Sequence, residues 1–373
     1  MNTYYNHEAN LGILISLLKK YGIKQVIASP GMTNSNFVAS LQSDPFFNIY
    51  SAVDERSAAY MACGLADETH KPVIISCTGA TASREWAPGL TEAFYRHLPI
   101  LAITSSQPNS RVGHLIPQVT DRSRPMPDMV KMSVDMPLIY RGGVDERSLV
   151  ITANEALLEL SHNGGGPVHI NLITNYDLDF SVKSLPEVPR IYRICHGDSL
   201  PNLPADFQKI ISVRSDTFFE RRIIESIDKF CEIFGVLIVT DDTDRLKGFN
   251  PKHVMDVKSL EYIDQPLLLI HLGQDNSESF ALKPNEVWRV SMDGEVIDLY
   301  EKLALVFEMD DEVFFNAYIT KAEENSNDND DTVDVQKTPV YSVGTQSKVE
   351  ESGHKAKAKV KRNGLFRKIL KRY

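Results

Sequence analysis

At 373 residues, with 42% hydrophobic and 24% charged side chains, the chain has the composition of a folded soluble protein with room for two domains, which excludes a fibrous or wholly disordered one. Its net charge is −10, and residues 348–373 hold ten Lys or Arg against two Glu, so +8 sits at the end and the preceding 347 residues carry −18. That acidic body argues against nucleic-acid binding, and no run approaches the ~18–20 apolar residues of a membrane span.

The N-terminus has no basic n-region, and the apolar run 11–18 closes on Lys19-Lys20 without a small-residue cleavage site, so no signal peptide is read. Cys63, Cys77, Cys195 and Cys231 match no CxxC spacing and are expected as reduced thiols in a cytoplasmic protein. From residue 8 onward, amphipathic stretches alternate with short apolar runs. The pattern predicts helix 9–21, strand 25–29, helix 34–41, strand 48–53, helix 55–66, strand 72–77, helix 82–96, strand 99–104, helix 149–161 and strand 167–172. Strands such as Val73-Ile-Ile-Ser-Cys77 are apolar at both alternating sets of positions, as strands are when helices cover both faces of a parallel sheet. The expected fold is α/β, a doubly wound parallel sheet over 1–180. Its ligands belong at the carboxyl ends of the strands, in the turns 29–31, 53–55, 77–79 and 104–106.

Residues 181–205 carry four prolines without periodicity and are expected as a linker. A smaller Rossmann-like α/β domain is predicted over 206–320, with helix 218–230 and strands 235–240, 266–271, 287–290 and 304–308, but no GxGxxG turn. Residues 321–373 are acidic and then basic, too poor in apolar side chains for a core, and are expected to be disordered. The final GLFRKILKRY is basic and amphipathic, which suits weak contact with an anionic membrane surface, although the composition fits a solvated tail better.

Three segments together resemble the pyrimidine-binding domain of thiamine diphosphate enzymes. Val53-Asp-Glu-Arg-Ser-Ala-Ala-Tyr-Met-Ala-Cys-Gly-Leu-Ala66 resembles a strand-end Glu followed by a small-residue helix. The stretch CTGATASREWAPGLTEAFYRHLPILAITSSQP resembles the Gly-rich turn, long helix and next strand, and Gly166-Pro-Val-His-Ile-Asn-Leu172 resembles the closing strand. The resemblance implies that Glu55, partly desolvated and raised in pKa, hydrogen-bonds the cofactor's N1′ and activates it. It implies cofactor contacts at Pro30, Gly31, Thr78, Gly79 and Gln118. His114 and Arg122 flank that Gln and become candidates for a substrate carboxylate. Each has a plainer reading: an acidic helix start for Glu55, a turn glycine for Gly79, and a polar surface loop for Gln118, His114 and Arg122.

Within the superfamily, Ser29-Pro-Gly31, DERSAA and Val287-Trp-Arg-Val-Ser-Met-Asp-Gly294 are most similar to the menaquinone-pathway synthases that join a 2-oxoglutarate-derived succinic semialdehyde to isochorismate. That family follows its Pro-Gly with a Ser-Arg pair that handles substrate. Met32-Thr33-Asn34 stand here instead, so Thr33 and Asn34 become candidate substrate contacts.

The superfamily holds the diphosphate and Mg2+ on a domain marked by Gly-Asp-Gly and a downstream Asn-rich turn. Gly197-Asp198-Ser199, Met292-Asp293-Gly294 and Gly273-Gln274-Asp275-Asn276 all lack the companion motif. The resemblance therefore implies thiamine diphosphate as cofactor, Mg2+ held by a separate diphosphate-domain subunit, a homodimeric or α2β2 assembly, and decarboxylation of a small 2-oxo acid with release or transfer of the aldehyde fragment. The alternative is a non-catalytic binding or scaffold protein derived from such an enzyme. A nicotinamide oxidoreductase is disfavoured, because Ser29-Pro-Gly-Met-Thr-Asn34 has one glycine where that site needs several.

Overall fold

A computed structural model describes residues 3–121, 125–139, 145–213, 218–240, 243–244, 246, 248–257, 265–273 and 282–328. Residues 1–330 form one compact unit, which holds two parallel sheets.

The first sheet is built from β1 (Gln25–Ala28), β2 (Asn48–Ser51), β3 (Val73–Thr78), β4 (Ile100–Ser106), β5 (Met132–Met136) and β6 (Val168–Ile173), in the order β2-β1-β3-β4-β6-β5 and parallel throughout. Its central strands are buried on both faces, so alternate side chains enter different cores. Ile74, Leu101, Ile103 and Ile170 pack with α1 (Ala9–Lys20), α2 (Ser35–Gln42) and α6 (Glu146–Glu159). Val73, Ile75, Cys77, Ile100 and Ala102 pack with α3 (Glu55–Thr69) and α5 (Ala87–Tyr95). The doubly wound sheet is therefore present.

Local chemistry sets the ends of these helices. Asp54 caps α3 by accepting the backbone N–H of Ser57 at 2.7 Å, and Asp145 caps α6 from Ser148 N–H at 2.7 Å. The predicted helix 82–96 is two helices, α4 (Ala82–Glu85) and α5, joined at the buried Trp86. Pro88 explains the break: it donates no N–H and its ring crowds the carbonyl one turn earlier. At the crossing of α3 and α5, a Cβ on Gly89 would lie 2.5 Å from the Cβ of Ala59, so glycine permits the close approach.

The second sheet comprises β7 (Tyr192–Cys195), β8 (Gln208–Ser212), β9 (Val236–Thr240), β10 (Val254–Asp256), β11 (Leu267–Leu272), β12 (Glu286–Val290) and β13 (Leu303–Glu308), in the order β10-β9-β8-β11-β12-β13-β7 and again parallel. The stretch expected as a plain linker thus contains an edge strand, β7, paired with β13. One face of this sheet is covered by α7 (Arg221–Phe234) and α8 (Asp311–Asp328) through Phe230, Trp288, Phe307, Phe314 and Tyr318. Its other face, with Ile210, Leu269, Val287 and Val306, packs against Leu158 and Ile151 of α6 and Tyr21. Helix α6, which also covers the first sheet, therefore supplies the second sheet's missing helical layer. Arg147 reinforces the junction by pairing with the buried Asp298, and Arg193 bonds Glu159 at 3.0 Å. Helix α8 runs to Asp328, past the boundary expected at 320; the predicted tail from 329 lies outside the described residues, as does its suggested membrane contact.

Cys63, Cys77 and Cys231 are buried, Cys195 is half-buried, and all four are free. No described helix is long and apolar enough to cross a membrane.

Candidate functional site

The chain winds from β1 out to β2 and then crosses back to β3 on the other side of β1. The order of strands reverses between β1 and β3, so their carboxyl ends open a crevice between the turn after Ala28 and the turn after Thr78.

The loop after β1 is organised by Asn34. This side chain is fully buried. Its Oδ1 accepts the Gly31 N–H at 2.8 Å, and its Nδ2 donates to the Ser29 carbonyl and to Ser76 Oγ, each at 3.2 Å. Those bonds engage both ends of the amide, so Asn34 builds the loop and presents no polar atom to a substrate. Thr33, half-buried, donates its hydroxyl to the Ser105 carbonyl at 2.9 Å and ties the loop to the end of β4. Gly31 packs so tightly that a Cβ would lie 2.2 Å from Thr78 Cγ2, which brings the β1 and β3 turns into contact. Pro30 is exposed on the outer side of the loop, and the neighbouring Met32 is 79% exposed.

Glu55 is the first residue of α3 and is half-buried. Capping falls to Asp54, whose pKa is held below its ordinary value by the Ser57 backbone N–H. The Glu55 carboxylate is left without a hydrogen bond or ion pair among the described residues. An acidic helix start needs only one capping carboxylate, and the second one here is free to meet a ligand.

The buried Gly79 uses its carbonyl to accept from Thr120 Oγ1 at 3.3 Å and Ser83 Oγ at 3.4 Å, so the segment after β4 folds back over the β3 turn. Arg84 donates to the Asp121 carbonyl at 2.6 Å and fastens the same contact. Gln118 is exposed and has φ +61°, a left-handed conformation that costs a non-glycine residue energy, and His114 is exposed nearby. Arg122 lies outside the described residues.

A row of polar groups running along β4, β6 and β5 escapes a reading of motifs. Thr104 Oγ1 and Ser106 Oγ donate to Asn171 Oδ1 at 3.0 and 2.8 Å, and Asn171 Nδ2 donates to Asp135 at 2.6 Å. His169 sits 2.8 Å from Thr104 Oγ1 and 2.8 Å from Ser133 Oγ. Because the Thr104 proton goes to Asn171, the His169 Nε2 carries the proton of its own contact. The sequence carries a signal for this row: polar residues recur two apart, Thr104 and Ser106, His169 and Asn171, Ser133 and Asp135, within strands whose other positions are mostly apolar. The cavity beside this row, between Trp86 and His169, has about 20 Å³, enough for one water and far short of a heteroaromatic ring. Glu55 stands apart from it, on the edge of the sheet.

In the second sheet, Asp293 of the Met-Asp-Gly turn accepts from Arg289 at 2.6 and 2.8 Å and from the Glu295 N–H at 2.8 Å. The Arg289 guanidinium holds its carboxyl well below the usual range. Asp198 closes a turn on the Cys195 N–H at 2.8 Å. Among the described residues no group of His, Cys, Asp or Glu is placed to hold a metal ion.

Comparison with known proteins bears on this site. Residues 12–125 match the family described as thiamine pyrophosphate enzyme, N-terminal TPP binding domain. A 2-succinyl-5-enolpyruvyl-6-hydroxy-3-cyclohexene-1-carboxylate synthase of Bacteroides thetaiotaomicron is 32% identical over 328 residues, covering 82% of this chain and 59% of that protein. Its counterpart in Phocaeicola vulgatus is 29% identical over 330 residues, covering 82% and 58%. The chain thus spans about three-fifths of the length of these curated relatives. Among solved structures, a putative thiamin diphosphate-dependent enzyme from Mycobacterium smegmatis overlays with a TM-score of 0.40 at 14% identity, over 85% of this chain and 63% of that one, too loosely to bear on the site. The match over residues 12–125, which hold β1 to β4 and Glu55, and the relatives aligned over most of the chain place it in the thiamine pyrophosphate enzyme family, through the N-terminal TPP binding domain that residues 12–125 carry.

Proposed function

We propose that this chain supplies the pyrimidine half-site of a thiamine diphosphate-dependent transferase or lyase acting on a 2-oxo acid, in the manner of the synthases it is related to. The observation that carries the reading is the Glu55 carboxylate, half-buried, relieved of capping by Asp54 and free of partners at the edge of the sheet. Bound there, thiamine diphosphate supplies the carbanion chemistry of 2-oxo acid decarboxylation. Glu55 shares a proton with the ring nitrogen N1′ and so favours the tautomer that acts as base. Gly31 and Thr78 are in contact across the crevice, because the place a Gly31 Cβ would take is filled by the Thr78 methyl group, and this contact joins the two turns that flank the half-site. Thr120 and Ser83 fix the Gly79 carbonyl beside it, and Gln118 stands exposed at the rim.

Among the described residues the donor set suits the aminopyrimidine and does not suit a metal–diphosphate group, because Asp293 is committed to Arg289 and Asp198 to its own turn. The diphosphate and Mg2+ are therefore assigned to a separate diphosphate-domain subunit, in a homodimeric or α2β2 arrangement. The test is turnover of the copurified pair with Mg2+ and thiamine diphosphate. Glu55→Gln should lower it by about 10²–10⁴-fold, the usual contribution of a positioned acid. Unchanged turnover removes Glu55 from the mechanism, and a pair that never shows cofactor-dependent turnover favours a non-catalytic scaffold.

A further inference from the structure

The two sheets meet at a cluster of charged side chains that the half-site does not use. Helix α6 ends on Glu159, the turn after it carries His162, and the neighbouring edge of the second sheet brings Arg193 of β7 and Glu308 of β13. His162 lies between the two acids. Its Nδ1 is 2.7 Å from Glu159 Oε1, and its Nε2 is 2.9 Å from Glu308 Oε2 and 3.0 Å from Oε1. All four side chains are at most 18% exposed.

A neutral imidazole has one N–H and one lone pair, so it donates to only one of these acids and turns its lone pair on the other. Only the imidazolium donates to both, and such charge-assisted bonds are roughly twice as strong as neutral ones. The surroundings hold the acids in place. Burial alone would raise the Glu159 carboxyl, but Arg193 Nη1 at 3.0 Å and His162 outweigh it and hold it below its ordinary value, with Lys131 Nζ 3.6 Å from its other oxygen. Lys131 also donates to the His162 carbonyl, and His97 Nδ1 lies 3.4 Å from the Gly165 carbonyl at the far end of the same turn. Besides His162, Glu308 meets Arg193 Nε at 3.6 Å and the Cys195 thiol at 3.9 Å, both longer contacts. Burial and then the Glu308 charge push that thiol up, so it stays protonated. A Cβ on Gly294 would lie 2.6 Å from Glu308 Oε2, so the turn after β12 packs against this carboxylate, and Arg193 Nη2 fastens the turn through the Gly294 carbonyl at 2.9 Å. Glu155, one turn earlier in α6, feels Arg193 too, although burial and the Glu295 charge raise its carboxyl.

We propose that His162 is a proton-operated latch: its imidazolium ties Glu159, at the end of α6, to Glu308, at the end of β13, and loss of the proton releases β13 and β7 from α6. A contact that needs a bound proton stabilises below the titration of its histidine and fades as pH rises through it. The experiment follows amide hydrogen exchange of the full chain at pH 5.5 and pH 8.5, corrected for the intrinsic exchange rate. Relative to β3 and β4, protection in β7 and β13 should fall about ten-fold at the higher pH, as loss of a charged hydrogen bond gives. In urea melts, a cycle of His162→Gln, Glu308→Gln and the double variant should couple the two residues by about ten-fold in the unfolding equilibrium at pH 5.5 and by less than about two-fold at pH 8.5. His97→Gln should leave both results unchanged. Equal protection of β13 at the two pH values overturns the latch, as does a coupling of the same size at both, or a pH-dependent loss that persists in His162→Gln. The exchange arm needs only the unaltered chain, so a variant that fails to fold does not spare the proposal. None of these residues belongs to the half-site: Glu55→Gln should leave the latch intact, and the two readings fail separately.

Discussion

A single buried amide decides the shape of the loop that faces the crevice. Asn34 satisfies the Gly31 N–H, the Ser29 carbonyl and Ser76 Oγ, three groups that its truncation would leave without these bonds. Asn34→Ala should therefore cost about 2–3 kcal/mol, the penalty for stranding buried polar groups, and urea melts would show it; a loss under ~0.5 kcal/mol would mean the loop relaxes freely. The sequence announced the residues around this loop more clearly than their duties. Glu55 was readable because a strand-end acid before a small-residue helix is a pattern along the chain. Asn34 was read as a substrate contact because one-dimensional spacing does not say whether a polar loop residue turns inward, and the structure turns it inward.

At the level of elements, Asp44 holds three pieces of the first unit together. Its carboxylate accepts Tyr5 OH at 2.6 Å, Lys19 Nζ of α1 at 2.5 Å and the Phe46 N–H at 3.0 Å, just beyond the end of α2. Burial alone would raise its pKa, but the bonds from Lys19, Tyr5 and Phe46 outweigh it and hold the carboxyl below its ordinary value. A carboxyl so depressed stabilises the fold fully above the unfolded value of about 3.9 and loses that contribution as pH falls through the folded value. Asp44→Asn should thus be less stable than the unaltered chain by about 1–3 kcal/mol at pH 7, and the gap should narrow at pH 3. A gap of constant size in urea melts at the two pH values would show that the charge is irrelevant. The elements most legible in the sequence were those whose strands are apolar on both faces, such as β3 and β4. Two of the edge strands, β5 and β7, were not: β5 alternates Ser133 and Asp135 with apolar positions, and β7 lies in a proline-rich stretch and is paired on one side only.

For the molecule as a whole, the question is what keeps the second sheet folded, since its two faces have different owners. One face leans on Tyr21 and on α6, which also packs on the first sheet, so it is covered only while both sheets are native. The other depends on α7 and α8, and α8 brings Phe314, Phe315, Tyr318 and Ile319 into the core. Tyr318 OH also bonds the Pro201 carbonyl at 3.0 Å, and Lys321 Nζ the Leu200 carbonyl at 2.7 Å, which fastens the stretch between β7 and β8. Burying each of those four side chains is worth about 1.5–3 kcal/mol, so removing the helix takes away on the order of the 5–15 kcal/mol that holds a domain together. A chain ending at Asp310 should lose the second sheet and expose the α6 face that it covers. A chain ending at Asp328 keeps every one of these contacts and should melt at the temperature of the full chain. Hydrogen exchange distinguishes the two: with α8 gone, protection should vanish in β8, β9 and β11 and persist in β3 and β4. Retained protection in β11 of the shorter chain would mean that packing on α6 suffices, and that the aromatic cluster is not what holds this half of the molecule.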